Sequence, residues 1–431
     1  MSTILLQGGH LIDPASGFDA LADVVLRDGR VEQIAVPGKA KTEANDLSET
    51  LNVKGLIVAP GFIDLHVHLR EPGQTHKESI ATGTAAAAAG GFTSVCAMPN
   101  TRPINDSPAV TRWMKDEERG AVVNVFPIAA ATLGSLGERL SDYRGLKRAG
   151  AVALSDDGKP ILDDHIMREA LALAAKVGLP VIQHAEDTKL SHGNPMNEGA
   201  TSFKLGLRGQ PSASEWQMVE RDIRLASQEG GRLHVAHVST AKSLDMVRLG
   251  RKSQVQVTAE VTPHHFLFTE ESCSNYDTRY KMNPPLRSAA DRDAMLAGIV
   301  DGTIDAIATD HAPHALFEKE VEFDKAAFGI TGLEIALAAT ITALYHTGKI
   351  SLVRVVELLS ANPAKIMGLT GRGTLAEGSV ADVTIFDPKK RWTYDVAQTR
   401  SRSRNCPYGG MQFHGKVKAT IVGGKVVFNE L

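Results

Sequence analysis

Several histidine and aspartate residues of this chain directly follow short runs of β-forming residues. His66 and His68 lie two positions apart in DLHVH, so in an extended segment both side chains face the same side and can bind one ion. The other residues in such positions are His184, His237, Asp310 and, in LSDDG, Asp156 and Asp157. Imidazole nitrogens and carboxylate oxygens, without sulfur, suit Zn²⁺, with Mn²⁺ or Co²⁺ as substitutes. These residue types therefore indicate metal binding.

Each of these residues also has an ordinary structural interpretation. A lone histidine or aspartate after a strand often caps a helix or satisfies a polar group of the core. Taken together, however, four histidines and two carboxylates on one rim would be costly to desolvate and would repel one another when ionised, unless a cation compensated them. The joint pattern therefore favours a metal site.

A repeated alternation of strands and helices is predicted to position these side chains. Eight strands are predicted, at residues 57–66, 93–98, 122–128, 151–154, 180–184, 233–237, 255–261 and 304–309. Between them lie alanine- and leucine-rich segments at helical spacing, such as residues 167–178, which end at a glycine where a helix C-cap is expected. This alternation predicts an α/β fold, a (β/α)8 TIM barrel, whose active site lies at the carboxyl ends of the strands.

The two ends of the chain resemble each other in composition. Both alternate short β-like runs with glycine and aspartate turns, which is typical of antiparallel hairpins. Because chain termini often lie close together, we expect them to form one small β-sandwich domain. The predicted boundaries are 1–56 and 366–431 for the two parts of the β domain and 57–365 for the barrel, and residues 405–415 are predicted to be an irregular connection.

Composition and charge exclude several classes of protein. Of the 431 residues, 43% are hydrophobic and 23% are charged, which is typical of a folded protein, and the net charge of −3 predicts binding neither to nucleic acid nor to a membrane surface. The N-terminus lacks the pattern of a secretory signal, and the apolar stretch 81–98 is predicted to be a helix, a turn and a strand instead of a membrane span. Three widely separated cysteines, Cys96, Cys273 and Cys406, fit a reducing compartment, so a cytoplasmic location is expected.

A series of motifs between residues 57 and 333 carries a family resemblance. In chain order the motifs are DLHVHLREPGQ, AMPNTRP, LSDDGKP, QHAED, HVAHVST, VTPHH, YKMNPPLR and IATDHAPH. Their order and spacing resemble the dihydroorotase branch of the amidohydrolase superfamily, whose barrels are metal-dependent hydrolases. LSDDG is similar to the bacterial class in which an aspartate bridges two metals, where related cyclic amidases use a carbamylated lysine.

The resemblance implies two zinc ions per subunit and a role for each predicted ligand. His66, His68 and Asp310 would hold one zinc, His184 and His237 the other, and Asp157 would bridge both, which leaves Asp156 as a turn-stabilising or supporting residue. It also implies the reversible, zinc-dependent cyclisation of N-carbamoyl-L-aspartate to dihydroorotate and water in pyrimidine biosynthesis. In this chemistry a bridging hydroxide attacks the amide, and Asp310 serves as the general acid and base.

Substrate recognition would need a cationic side chain that binds a carboxylate, because the substrate keeps a free carboxylate in both ring opening and ring closure. Arg70 can offer a bidentate fork to it, although it could also form a surface ion pair. The resemblance places the other substrate contacts at His68, Asn100, Asn283, His314 and the backbone of Phe328 and Gly329. Asn100 could instead stabilise a turn, and Phe328 could be part of the core.

Other polar residues are left with open or ordinary assignments. His264 and His265 in VTPHH either support the metal ligands or pack in the core. Glu186 and Asp187 are predicted to cap the next helix rather than to orient metal ligands. Histidines at six further positions have no recognisable partner pattern: His10, His76, His165, His192, His346 and His414.

Two alternative functions and two assembly partners remain open at this point. The chain could be another cyclic amidase, such as an allantoinase or dihydropyrimidinase, but those usually carry a lysine where LSDDG stands. It could also be a non-catalytic partner of aspartate carbamoyltransferase, but every expected metal ligand is present. The resemblance further implies that the chain can form a homodimer and associate with aspartate carbamoyltransferase.

Overall fold

The computed structural model describes residues 3–40 and 48–431. Strands alternate with helices through the middle of the chain. Near both ends of the chain, successive strands follow one another without α-helices between them. The strands, numbered in chain order, are β1 (Thr3–Asp13), β2 (Phe18–Arg27), β3 (Arg30–Ala35), β4 (Glu49–Asn52), β5 (Ile57–Pro60), β6 (Phe62–Val67), β7 (Phe92–Ala97), β8 (Asn124–Ala129), β9 (Ala153–Leu154), β10 (Val181–Gln183), β11 (Met196–Asn197), β12 (Gly209–Gln210), β13 (Leu233–Val235), β14 (Val257–Val261), β15 (Ala306–Ile307), β16 (Val383–Thr393), β17 (Gln412–Val422) and β18 (Lys425–Asn429).

Most helices connect successive strands of the central region. They are α1 (Ile80–Ala89), α2 (Pro108–Met114), α3 (Tyr143–Ala149), α4 (Asp164–Val177), α5 (Thr188–Ser191), α6 (Ala200–Leu205), α7 (Ala213–Glu229), α8 (Ala241–Lys252), α9 (Pro263–Leu267), α10 (Ala289–Val300), α11 (Leu316–Lys319), α12 (Ala336–Thr340), α13 (Leu352–Val356) and α14 (Asn362–Met367). Two π-helical turns, Ile341–Tyr345 and Glu357–Ala361, extend α12 and join α13 to α14. The described residues also contain six 3₁₀ turns, at Glu117–Arg119, Leu133–Ser135, Glu270–Cys273, Thr278–Tyr280, Leu333–Ile335 and Val396–Gln398.

Eight parallel strands form the barrel that the sequence predicts. Their order is β6, β7, β8, β9, β10, β13, β14 and β15, so each strand pairs with the next along the chain apart from the short β11–β12 pair. A parallel bridge between Val67 and His311, with the His68 amide donating to the His311 carbonyl at 2.9 Å, joins the last strand's loop to the first strand. The (β/α)8 fold is therefore confirmed.

The helix connecting β9 to β10 shows why these segments fold as predicted. The side chain of Asp163 accepts hydrogen bonds from the His165 and Ile166 amides at the start of α4, and Gly178 ends the helix with a φ of 69°. The predicted helix 167–178 therefore exists and starts one turn earlier. The alanine-rich stretch also follows its prediction, as α1, a glycine turn and β7.

The predicted first barrel strand, residues 57–66, is in fact two strands. Residues 57–60 form β5, which pairs with β1 and β16 of the other sheet, and the barrel strand β6 begins at Phe62. The break lies at Gly61, where a Cβ atom would stand 2.1 Å from the Thr93 hydroxyl oxygen. Because only glycine fits so close to the neighbouring strand, the chain can pass from one sheet to the other at this point.

Several barrel strands are also shorter than predicted. β10 ends at Gln183, β13 at Val235 and β15 at Ile307, so the predicted metal ligands His184, His237 and Asp310 lie just beyond these strands. In these positions they are at the carboxyl end of the barrel, in loops that a rigid sheet holds in place.

Strands from both chain ends form one additional sheet, which confirms that the two termini together build a small β domain. Its order is β18, β17, β16, β5, β1, β2 and β3, with β4 beside β1, so β5 joins the C-terminal to the N-terminal strands. A hydrophobic cluster of its own, which includes Leu6, Val24, Val383 and Ile421, stabilises it. The division of the chain at residues 56 and 365 stays a prediction.

Two further expectations concern single segments. The predicted irregular connection 405–415 is confirmed for residues 405–411, which form no strand, whereas residues 412–415 already belong to β17. Within residues 3–40 and 48–431, no helix combines the length and apolar character that a membrane crossing needs.

Candidate active site

The predicted ligands meet at the carboxyl end of the barrel. His68 Nε2 lies 2.9 Å from Asp310 Oδ1, and His184 Nδ1 lies 2.9 Å from His237 Nε2. Between these two pairs stands Asp157, whose Oδ1 is 3.3 Å from His66 Nε2 and 3.6 Å from His184 Nδ1. Asp157 therefore lies where one carboxylate can reach both groups of histidines.

The donor atoms are arranged as they would be around metal ions. Three sets, each with ligand atoms within 4.8 Å of one another, are His66–His68–Asp157, His66–His237–Asp310 and Asp157–His184–His237. The fully buried atoms His66 Nε2 and Asp157 Oδ1 have no hydrogen-bond partner in the described structure. Since buried polar atoms are rarely left unpaired, these atoms fit a bound cation.

The electrostatics of this cluster also favour a cation. The cluster consists of His66, His68, Asp157, His184, His237 and Asp310. Burial would raise the pKa of Asp310 and Asp157, but the His66 charge and hydrogen bonds from the neighbouring histidines lower the pKa of both carboxyls well below the usual range. Burial by itself would lower the pKa of His66. The negative charges of Asp310 and Asp157 outweigh this effect and raise the pKa of His66 well above the usual value. Both carboxylates are thus ionised in a buried site, where positive charge is stabilising.

Three site residues have left-handed backbone conformations. The φ angles are 60° at Arg70, 31° at His237 and 44° at Asp310. Such angles are uncommon for residues with a Cβ atom, and they concentrate where function requires a particular side-chain direction. Here they turn the chain at the strand ends so that these side chains reach the site.

A cavity of about 270 Å³ opens above the cluster. Its walls include nine of the predicted site residues, namely His68, Arg70, Asn100, Asp157, His184, Asn283, Asp310, His314 and Phe328, together with Gly158, Met282 and Ala312. His66 and His237 belong to the cluster but do not line the cavity. A small molecule in this space would therefore lie beside the metal-binding groups.

Arg70 is buried and held in a fixed orientation at the cavity wall. Its Nε donates to the Pro313 carbonyl at 3.1 Å, and its Nη2 lies 3.3 Å from His314 Nε2. Burial lowers the pKa of Arg70, against the opposing effect of Asp310 and Asp157, to about 10, so the guanidinium remains charged at neutral pH. Burial and the Arg70 charge lower the pKa of His314 to about 2, so this imidazole is neutral. The surface ion pair considered for Arg70 is therefore wrong.

Two asparagines that line the cavity contact histidines of the cluster. Asn100 Oδ1 lies 2.8 Å from His68 Nδ1, and Asn283 Nδ2 lies 3.2 Å from His184 Nε2. Glu186 joins the second contact, because its Oε2 accepts from Asn283 Nδ2 at 2.9 Å and lies 3.2 Å from His184 Nε2. The prediction that Glu186 caps a helix is wrong; only Asp187 caps α5.

Phe328 and Gly329 differ in their access to the cavity. Phe328 lines it, but Gly329 does not, and the polar groups of the Gly329 backbone are already bonded within the protein. Its amide donates to the Lys281 carbonyl at 3.0 Å, and its carbonyl accepts from Asn405 Nδ2 at 3.0 Å and Lys319 Nζ at 3.2 Å. The structure therefore does not bring Gly329 to the cavity as a free hydrogen-bonding group.

Sequence reasoning missed a hydrogen-bonded chain beneath His66. Glu260 Oε1 lies 2.9 Å from His66 Nδ1, its Oε2 lies 3.1 Å from His234 Nε2, and His234 Nδ1 lies 2.8 Å from Thr258 Oγ1. The glutamate holds His66 with Nε2 directed at the cluster, as carboxylates do behind metal-binding histidines. A charged residue inside the buried strand VTAEV was the available signal.

Replacing Glu260 with glutamine is expected to weaken metal binding roughly 10- to 100-fold, because the negative charge behind His66 is lost. Metal dissociation constants, measured by competition with a chelator, check this expectation. Glu229→Gln is the matched control, since Glu229 pairs with Arg168 away from the site. Equal metal affinity in Glu260→Gln and the control would show that Glu260 does not support the metal ligands.

Of the remaining candidates, His265 and Asp156 form hydrogen bonds in the described residues, whereas the His264 side chain does not. His265 Nδ1 bonds with Thr262 Oγ1 at 2.7 Å and its Nε2 with the Pro284 carbonyl at 3.0 Å, while both ring nitrogens of the buried His264 lack a hydrogen-bond partner. Asp156 accepts from the Thr132 amide at 3.0 Å and from the Thr132 hydroxyl. Asp156 therefore stabilises a loop and does not contact the cluster directly.

Known proteins resemble this chain in sequence and in fold. A family model described as dihydro-orotase-like matches residues 55–243. The dihydroorotase of Solibacter usitatus (strain Ellin6076) is 52% identical over 98% of this chain and 97% of its own, and that of Anaeromyxobacter dehalogenans (strain 2CP-C) is 49% identical over 100% of this chain and 99% of its own. The solved structure of the L-hydantoinase (dihydropyrimidinase) from Arthrobacter aurescens has a TM-score of 0.88 at 26% identity and covers 99% of this chain and 96% of its own.

Proposed function

The chain belongs to the dihydroorotase family, and on this premise we propose how its residues interconvert N-carbamoyl-L-aspartate and dihydroorotate. The enzyme is a cyclic amide hydrolase of pyrimidine biosynthesis, and its relatives are named dihydroorotase. In the hydrolytic direction, the oxygen of a water molecule bonds to the ring amide carbon, the carbon–nitrogen bond breaks, and the ring nitrogen gains a proton. Cyclisation is the reverse of these steps and releases water.

Two zinc ions are the proposed cofactor. His66, His68 and Asp310 would hold one ion, His184 and His237 the other, and Asp157 would contact both. The sulfur-free donor set supports this assignment, as do the buried atoms His66 Nε2 and Asp157 Oδ1, which lack a hydrogen-bond partner in the described residues. When bound, such a metal pair makes a water molecule nucleophilic near neutral pH and polarises the carbonyl group.

Asp310 is the proposed proton carrier. It lines the cavity beside His68 and belongs to the cluster, so one of its oxygens can face the reacting atoms. In ring opening its carboxylate would accept the proton of the attacking water and deliver it to the leaving nitrogen. In ring closure the same group would work in the opposite order, as microscopic reversibility requires.

Recognition of the substrate carboxylate is assigned to Arg70. The buried guanidinium faces the same 270 Å³ cavity as Asp157 and Asp310, so an anionic group and a reacting amide can be held together. Asn100, Asn283, His314 and Phe328 complete the walls, with His68 at the metal side, and the bonded Gly329 backbone shapes the wall behind Phe328. The position of Arg70 beside the cluster carries this proposal, because neutral cyclic amides would not need it.

Ring opening of L-dihydroorotate by the purified zinc-loaded protein tests the function directly. Allantoin and dihydrouracil serve as neutral-ring comparisons, and the metal content is measured on the same sample. We expect turnover of dihydroorotate alone, with up to two zinc ions per chain. Turnover confined to the neutral rings would assign the chain to another cyclic amidase and would remove the role of Arg70.

We also propose a cytosolic location, a homodimer and an association with aspartate carbamoyltransferase. The free, buried state of Cys96, Cys273 and Cys406 supports a reducing compartment. The mass in solution, measured by light scattering with and without the transferase, tests both assemblies. A monomer in both samples would exclude them.

A further inference from the structure

Two buried lysines lie behind the cavity wall, apart from the metal cluster. Lys319, the last residue of α11, is 4% exposed, and Lys281, two residues before Asn283, is 2% exposed. Lysine is almost never buried to this extent unless it is paired. The contacts of these two side chains therefore need an explanation.

Lys319 binds three backbone carbonyl groups. Its Nζ donates to Ala327 at 2.7 Å, to Gly329 at 3.2 Å and to Lys281 at 3.3 Å. The three bonds match the three N–H groups of an ammonium ion. Lys319 thereby ties the segment that carries Phe328 to the segment that carries Asn283.

Lys281 reinforces the same connection. Its Nζ donates to the Asp324 carbonyl at 2.9 Å and lies 4.5 Å from the centroid of the Phe328 ring. Cations at this distance are attracted to the face of an aromatic ring. Both lysines thus act on the short segment 324–329: Lys319 binds the carbonyls of Ala327 and Gly329, and Lys281 contacts the Asp324 carbonyl and the Phe328 ring.

Burying a charged side chain in this space costs desolvation free energy. Burial lowers the pKa of Lys319, with Lys281 as the next contribution, to about 7, and burial lowers that of Lys281 to about 8. A methionine would occupy a similar volume without the desolvation cost. Packing alone therefore does not account for Lys319, whereas its hydrogen bonds to the three carbonyl groups do.

We propose that Lys319 is a positioning residue for substrate binding, which holds the backbone of residues 327–329 and of Lys281 so that Phe328 and Asn283 stand at fixed places in the cavity wall. This inference rests on the proposed function, in which those two residues contact the substrate. Preorganised walls bind a ligand more tightly because less ordering is needed on binding.

The test is Lys319→Met in the full-length, zinc-loaded enzyme with L-dihydroorotate as substrate. The protein should fold, because two of the three carbonyls keep another donor: Lys281 O accepts from the Gly329 amide, and Gly329 O accepts from Asn405. We expect KM to rise about tenfold or more, with kcat within about threefold, since uniform binding is lost. The Tm and metal content should stay near those of the unchanged protein.

Two further variants make the outcome decisive. Lys319→Gln keeps two N–H donors without a charge, so its KM should lie between that of the unchanged enzyme and that of Lys319→Met. Lys325→Met is the matched control, because Lys325 is exposed on the same segment and pairs only with Glu322 in the described structure. Its KM should not change.

The proposed function and this inference fail in different ways. An unchanged enzyme that does not turn over dihydroorotate would remove the proposed function. If the unchanged enzyme is active but KM is normal in Lys319→Met and Lys319→Gln, the role of Lys319 is wrong. A fall of Tm in both variants that parallels the loss of activity would likewise overturn it, because Lys319 would then serve stability.

Discussion

Replacing Asp310 with alanine is expected to reduce kcat for L-dihydroorotate by about 10⁴-fold or more, while the protein stays folded. General acid–base catalysis alone contributes about 10²- to 10⁴-fold, and the same substitution also removes a predicted metal ligand. Folding should survive because Asp310 lies in a loop beyond β15 and its side chain contacts the cluster instead of the hydrophobic core. Steady-state kinetics, circular dichroism and metal analysis of one preparation check this result.

Asp310→Asn separates the two roles of the side chain. The amide keeps the shape and one oxygen, but it cannot accept a proton at neutral pH, so kcat should remain low even if both metals bind. Asp293→Ala is the control, since Asp293 is exposed on α10 and pairs with Arg292. Near-normal turnover in Asp310→Ala would show that another group transfers the proton.

The second large effect is expected for Arg70→Ala, which should lower kcat/KM for dihydroorotate about 10²- to 10⁴-fold. Each hydrogen bond to a charged group contributes about 1.5–3 kcal/mol, and a bidentate fork supplies two. Metal affinity should change little, because Arg70 bonds to Pro313 and His314 and not to the histidine ligands. Initial rates over a range of substrate concentrations, with metal content determined in parallel, measure both quantities.

Two variants show whether the effect comes from the fork. Arg70→Lys keeps the charge but not the planar geometry, so its kcat/KM should fall between those of the unchanged enzyme and Arg70→Ala. Arg144→Ala, at an exposed position of α3, should behave like the unchanged enzyme. Loss of bound metal in Arg70→Ala would instead mean that Arg70 supports the cluster.

The sequence predicted the barrel and the order of its strands because burial leaves a local pattern. Alternating β-forming and helical segments, with caps such as Asp163 and Gly178, record which residues face the core over a few turns of chain. Strand ends in a parallel barrel share one rim, so residues after successive strands could be expected to meet. The structure brings His66, His68, Asp157, His184, His237 and Asp310 together as that reasoning requires.

Boundaries between neighbouring elements were less predictable. The run 57–66 looks like one strand because both parts are apolar, but Gly61 lets it pass between two sheets. The left-handed angles at Arg70, His237 and Asp310 also have no local signal, because residues with a Cβ atom adopt them only when surrounding structure compensates the cost. The sequence therefore placed these residues near the site without showing how their side chains turn into it.

Only the tertiary structure decided which polar groups support the site. Glu260 reaches His66 across 194 positions of sequence, and Glu186 reaches Asn283 across 97, so neither contact leaves a periodic or short-range pattern. Lys319 would look like an exposed residue in LFEKE, yet it is buried against three carbonyl groups of two other segments. The sequence by itself thus determined the fold, the family and the histidines and aspartates that meet at the site, because these depend on local burial patterns and motifs. The supporting hydrogen bonds depend on distant segments that only folding brings together.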